Sequence, residues 1–186
     1  MQMLNSPQRY GAVVQVMHWA TVVLVLLAWL LGTFGDDLPR GAARDAGLFI
    51  HMSAGLLVLA ILVLRLLWRA VDAPPEPEKT VLGPWLDRAG RLAHGVLYLL
   101  LVAVPIAGIA SQFARGRPVP LFGLAQIPSP WIGDRAFAHS VTEVHELLAN
   151  ALLAVAAVHA LAALVHHYLF RDRTLTRMLP GRAPTA

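Results

Sequence analysis

Residues 138–170 read AHSVTEVHELLANALLAVAAVHALAALVHHYLF. The stretch exceeds the roughly 20 apolar residues that cross a bilayer. It carries His139, His145, His159, His166 and His167. His145 and His159 stand 14 residues apart. At about 100° and 1.5 Å per residue, both face nearly the same way, about 21 Å apart along the axis. That separation suits two sites stacked across a hydrocarbon core of about 30 Å, one near each surface. It does not suit a single metal held from one helix, which needs i, i+3 or i+4 spacing.

Three more stretches are long and apolar enough to span: about residues 12–34, 47–69 and 92–113, with 138–170 as the fourth. Together they occupy most of the 186 residues and leave little for a soluble domain. The composition agrees: hydrophobic residues make up 57% and charged residues 14%, and the mean hydropathy is +0.60. The expectation is an all-α membrane protein, a single four-helix bundle over residues 1–186, in contact with the lipid bilayer. With no cysteine, disulfides, thiol catalysis and cysteine-held iron–sulfur or zinc sites are excluded. The net charge of +4 does not point to nucleic acid in so apolar a chain, because surplus arginine in membrane proteins sits in loops and sets orientation.

The connections read as loops. Gly35–Asp45 is short and polar, and Asp72–Lys79 is proline-rich and charged. Arg115–Arg135 is the longest exposed connection, with room for a short surface helix. With four spans both termini share a side. Arg9, Arg65, Arg69, Lys79, Arg88, Arg91, Arg171, Arg173, Arg177 and Arg182 lie on that side, against Arg40, Arg44, Arg115, Arg117 and Arg135 on the other. The positive-inside rule then puts both termini in the cytoplasm. The first span is longer than a signal-peptide core and lacks an A-x-A-like cleavage site, so it is expected to be retained.

Ionisable side chains at membrane depth are costly and point to function. His18 is early in the first span and His159 late in the fourth, so both lie toward the cytoplasm. His51 and His145 are early in spans that start outside. Depth therefore offers the pairs His18 with His159 and His51 with His145. Two imidazoles each in a dry helical interior would ligate two b-type haems. Zinc or copper would want carboxylate or sulfur support, and the spans supply little beyond Glu143 and Glu146. Gly55, Ala149, Ala156 and Ala163 lie about one turn from these histidines, where small residues admit a macrocycle or serve ordinary helix packing.

His94 shares the depth of His18 and is an alternative ligand there. Otherwise His94 and His166, about 10 Å beyond His159, form a spare pair beside the inner haem, placed to hydrogen-bond quinone carbonyls and move protons. His166 and His167 also suit the lipid headgroup region. His139 reads as a solvated loop or cap residue. Arg65 and Arg69 either meet haem propionates or snorkel. Arg115, Arg117 and Arg135, with Trp131, make either a cationic funnel for an anion or a solvated loop. Pro105 is expected to kink the third span.

Particular motifs carry a likeness beyond these spacings. They are His18-Trp19, VLRLLWR over residues 63–69, AHGVLYLLL over 93–101 with PIAG over 105–108, and RGRPVPLFGL over 115–124. The strongest are HELLAN over 145–150 and VHALAALVHHYLF over 158–170, followed by DRTLTRMLP over 172–180. On them the chain resembles the bacterial cytochrome b561 family, and its small four-helix branch that acts as superoxide:ubiquinone oxidoreductase. Between Ile127 and His139 the outer loop departs from that branch's pattern. The resemblance implies an inner-membrane protein with two haem b. His18 and His159 would hold the cytoplasmic-side haem, and His51 and His145 the periplasmic-side haem. It disfavours His94 as a ligand, and places ubiquinone near the inner haem at His94 and His166. The implied activity passes electrons from periplasmic superoxide to ubiquinone. The alternatives are a cytochrome subunit linking the quinone pool to a periplasmic redox partner protein, and a non-redox metal-binding or scaffold protein.

Overall fold

A computed structural model describes residues 2–76, 78 and 83–180. Within them lie four long helices, α1 (Ala12–Phe34), α2 (Ala42–Val71), α3 (Pro84–Ala114) and α4 (Arg135–Val165). All four are long and apolar enough to cross a membrane. The helices overrun the apolar stretches: α2 starts at Ala42 rather than residue 47, α3 at Pro84 rather than 92, and α4 at Arg135 rather than 138. An apolar run marks the part of a helix inside hydrocarbon, whereas caps mark where the helix begins. Pro84 supplies a first-turn proline for α3. The Asp134 side chain caps α4 by accepting from the Phe137 N–H at 2.8 Å.

α1 packs along α2 and α3 along α4, and the two hairpins meet through α2 and α3. The buried centre is thin, formed by Val58, Leu62, Leu100, Leu101 and Leu152. Large apolar side chains such as Leu26, Leu30, Val63, Leu64, Leu99, Leu147 and Leu161 point outward instead. An apolar exterior around a bundle is the pattern expected where the solvent is lipid tails.

The long connection contains a β-hairpin rather than a surface helix. β1 (Val119–Leu121) pairs antiparallel with β2 (Ala125–Ile127), with Val119 opposite Ile127. Pro118 and Pro120, two residues apart, suit strand edges and disfavour a short surface helix here. The base of this connection is drawn shut where Gly116, at φ +66°, crosses Gly133. A side-chain carbon on Gly116 would lie 3.0 Å from the Gly133 nitrogen, and one on Gly133 would lie 2.9 Å from the Arg115 carbonyl.

At the opposite end three chain segments are woven together. Asn5 binds Asp72 through its backbone N–H (3.0 Å) and Ala73 through its side chain (3.1 Å). Arg177, only 7% exposed, donates to the carbonyls of Pro7, Gln8 and Glu76 at 3.1, 3.0 and 2.8 Å. The start of the chain, the α2–α3 connection and the tail therefore share one end of the bundle. Of the basic residues counted for that end, Lys79 and Arg182 lie outside the described residues.

Candidate haem and quinone sites

His51 on α2 and His145 on α4 come together between the hairpins. Their ring centres are 6.0 Å apart and the planes nearly perpendicular, at 88°. Each ring is anchored through Nδ1, that of His51 2.7 Å from the Ala28 carbonyl and that of His145 2.9 Å from the Val104 carbonyl. A carbonyl accepts, so Nδ1 carries a proton and Nε2 is the nitrogen left for an axial metal bond.

Two glycines let these rings lie against neighbouring backbone. A side-chain carbon at Gly32 would sit 3.0 Å from His51 Cε1, and one at Gly108 would sit 3.1 Å from His145 Cε1. A cavity of about 290 Å³ opens beside them. Its wall includes Trp29, Gly55, Pro105, Glu146 and Asn150, and Trp29 Nε1–H donates to Asn150 Oδ1 across it at 3.0 Å. Gly55 faces open space, so the room is on the cavity side. Metal–nitrogen bonds of roughly 2 Å on opposite faces of one ion put imidazole centres roughly 6 Å apart. Converging imidazoles that each leave Nε2 free of a protein partner, glycine cradles and an adjoining cavity fit a haem. Sequence reasoning pointed to Gly55 and Ala149 as making room for the macrocycle and missed Gly32 and Gly108, which make room for the ligand rings. Pro105, to which no chemistry was attached, lines the cavity next to Val104, the residue that orients His145.

At the other end His159 meets His94, with ring centres 5.1 Å apart. His94 is tethered to the Gly90 carbonyl one turn earlier. His18 lies within electrostatic reach of His159, His94 and Arg65, and its ring packs edge-on against Trp19. Three histidines thus gather where two were paired by depth. Arg65 stacks on Tyr98, its guanidinium 5.6 Å from the ring centre.

His166 falls where α4 ends. The chain widens into a π-helical turn (His166–Phe170), and Arg171, at φ +54°, reverses it. The reversal returns Asp172 to His166, with Oδ2 2.5 Å from Nδ1. On a continuing helix six residues would separate the two by about 240° and 9 Å, so no helical spacing could have revealed this pair. Burial opposes ionisation of Asp172, yet the hydrogen bonds from His166 and Thr174 prevail and hold its carboxyl below the ordinary value.

At the hairpin end Arg115, Arg117, Arg135 and His139 line a cavity of about 480 Å³, together with Asp134. His139 is neither loop nor cap. It sits in the first turns of α4, 3.5 Å from Glu143. Arg115 donates to Thr142 Oγ1 at 2.8 Å, and Thr142 also meets Ser111 at 2.7 Å. Thr142 precedes His145 by three residues, so the Arg115 guanidinium stands about one helical turn from the His51–His145 pair, and His139, at the cavity wall, about two turns from it.

The family model for prokaryotic cytochrome b561 matches residues 9–181. The chain belongs to the prokaryotic cytochrome b561 family. It is 32% identical over 185 residues to cytochrome b561 homolog 2 of Escherichia coli, covering 96% of this chain and 95% of that one. It is 34% identical over 175 residues to a probable superoxide oxidase CybB of Yersinia pestis, with 94% and 98% covered. It is 32% identical over 171 residues to cytochrome b562 of Cereibacter sphaeroides, with 89% and 92% covered. As a cytochrome b561 it is a multi-pass inner-membrane electron-transfer protein that carries b-type haem. Membership overturns the non-redox scaffold reading.

Proposed function

We propose that this cytochrome b561 carries electrons from superoxide on its periplasmic face to ubiquinone at its cytoplasmic face. The net reaction consumes two superoxide ions, one quinone and two protons, and yields two O2 and one quinol. The observation that carries the reading is the arginine-lined cavity, whose nearest wall on α4, His139, stands about two turns from His145, with Arg115 reaching down to Thr142 one turn from it. The likeness to a probable superoxide oxidase supports it. Both termini lie in the cytoplasm on this reading, in keeping with the excess of arginine at the end where they meet.

In this reading His51 and His145 would hold one haem b, and His18 and His159 a second. Haem so held would supply one-electron transfer rather than oxygen binding. The protein's own work lies around it. Arg115, Arg117 and Arg135 concentrate a small anion at the outer mouth. The Ala28 and Val104 carbonyls fix the tautomers of His51 and His145. The exposed leucines and valines keep the bundle in lipid and water out of its interior. His94 and His166 bind the quinone carbonyls, and His166 provides one of the protons that reduction consumes.

The test is stopped-flow reduction of the purified protein by superoxide, followed by addition of ubiquinone. Haem reduced by superoxide and reoxidised by quinone is the expected result, with the superoxide step slowed about tenfold or more in the Arg115→Gln, Arg117→Gln, Arg135→Gln triple variant at low salt. Haem that exchanges electrons with quinol but ignores superoxide would overturn the reading in favour of a subunit serving a periplasmic redox protein.

A further inference from the structure

We propose that Asp172 is the positioning residue that makes His166 a proton donor to the quinone. The inference rests on the reading that quinone binds beside His94 and His166. Its basis is the charge pairing around the tail. Asp172 is flanked in sequence by Arg171 and Arg173, with Arg177 a turn further on. A carboxylate there with a purely structural task would pair with arginine. The fold instead gives Glu78 to Arg173 and Arg177, at 3.3 and 3.6 Å. Among the described residues, the ion-pair partner of Asp172 is His166.

The geometry is specific about which atoms are used. Asp172 Oδ2 takes Nδ1 of His166 at 2.5 Å, with side-chain exposures of 14% for the histidine and 19% for the aspartate. Asp172 Oδ1 is fixed separately by the Thr174 N–H at 2.8 Å. The Asp172 N–H closes back on the His166 carbonyl at 3.2 Å. Phe170 packs edge-on against the imidazole, ring centres 5.3 Å apart. Turning the carboxylate away would break two hydrogen bonds, and flipping the ring would break one and disturb the Phe170 contact. Nδ1–H is therefore committed to Asp172, and Nε2 is the nitrogen left for a ligand. A left-handed Arg171, a conformation that non-glycine residues adopt rarely, is what brings the two together.

The step balances. Quinone takes two electrons, one from each superoxide of the net reaction, and two protons. The Nε2 proton of doubly protonated His166 goes to one quinone oxygen, and the other oxygen takes the second proton, drawn from the inner aqueous phase. Nδ1–H stays on its ring throughout, bonded to Asp172, and Nε2 is reprotonated from the inner aqueous phase. Asp172 neither donates nor accepts a proton in the cycle. It fixes the tautomer and balances the charge of the loaded imidazole.

The experiment compares Asp172→Ala, Asp172→Glu and His166→Gln in the haem-loaded protein. Nitrogen-15 histidine NMR of the wild type is expected to show that His166, when neutral, carries its proton on Nδ1, and Asp172→Ala is expected to release it to a tautomer mixture. Quinone reduction per haem should fall roughly tenfold to hundredfold in kcat in Asp172→Ala, with KM within about twofold. Asp172→Glu should recover part of the loss. Reduction by superoxide should be unchanged in all three. An unaltered tautomer, or full kcat per haem in Asp172→Ala while His166→Gln is impaired, would overturn the role of Asp172. Full quinone turnover in His166→Gln would overturn the underlying placement of the quinone, and this proposal with it.

Discussion

Placing a methyl group at Gly108 tests the haem site through the ligand ring rather than through the ligand itself. The new carbon would stand 3.1 Å from His145 Cε1, against a favourable carbon–carbon separation of about 3.5–4.0 Å. The ring must retreat by roughly half an ångström or more. It is pinned by the 2.9 Å bond from Nδ1 to the Val104 carbonyl, and a retreat of that size stretches this bond past the range of about 2.7–3.2 Å in which such bonds are strong. Overpacking of this kind costs about 1–3 kcal/mol, which is a factor of about 5–150 in haem affinity. Gly32→Ala does the same to His51 at 3.0 Å. Alanine for glycine within a helix also stabilises the helix, by about 1 kcal/mol. Gly90→Ala isolates that gain, since a side-chain carbon there meets nothing within 4 Å. The assay is haem per protein and the reduced-minus-oxidised spectrum during titration of apoprotein with haem. Gly108→Ala and Gly32→Ala should each weaken one binding step and leave the other as in Gly90→Ala. Full-strength binding in both variants would refute the assignment of His51 and His145 as a ligand pair cradled by glycine.

Three further outcomes are expected. On the proposed two-haem arrangement, His51→Ala should lower the haem content from two to one per chain and leave the spectrum of the His18–His159 site alone; pyridine-haemochrome analysis checks this, and an unchanged content would mean that His51 is not a ligand. Arg177→Met keeps the buried stem but leaves three backbone carbonyls without their donor and Glu78 with only Arg173 as its cation, a loss of about 3 kcal/mol that should lower the melting temperature by about 6–12 °C; a shift under 2 °C would mean that the woven end is not held by this residue. Asp172 has its carboxyl pKa lowered by folding, so its contribution to stability is complete above the ordinary carboxylate value near 4 and is lost as pH falls through the lower folded value. The melting temperatures of wild type and Asp172→Asn should therefore differ at neutral pH and converge in acid, and a difference that grows in acid would contradict the sign.

The two ends of the bundle differ in how their histidines are gathered. Toward the β-hairpin, two rings face each other and each is tied to a carbonyl of another helix, Ala28 on α1 and Val104 on α3. Four helices thus fix two side chains. Toward the woven end, His94 presses on His159 while His18 lies within reach of both.

The amino-acid sequence by itself determined the membrane class, the four crossings and the depth of the histidines. These follow from local quantities: the length of an apolar run, and the rise and rotation per residue that stack His145 over His159. Depth pairing needs only the direction in which each span runs, so the meeting of His51 with His145 was legible before any helix was packed. Tertiary structure alone decided the remainder. Gly32 and Gly108 are ordinary small residues of a membrane helix until α1 meets α2 and α3 meets α4, when each becomes the wall against which a histidine ring lies. The link of Arg115 to Thr142 requires that α3 and α4 sit side by side. Asp172 reaches His166 only because Arg171 adopts a left-handed backbone that no periodicity encodes. Periodicity reports which face and which depth a side chain occupies. Which neighbour it finds there depends on how helices far apart in the chain are packed.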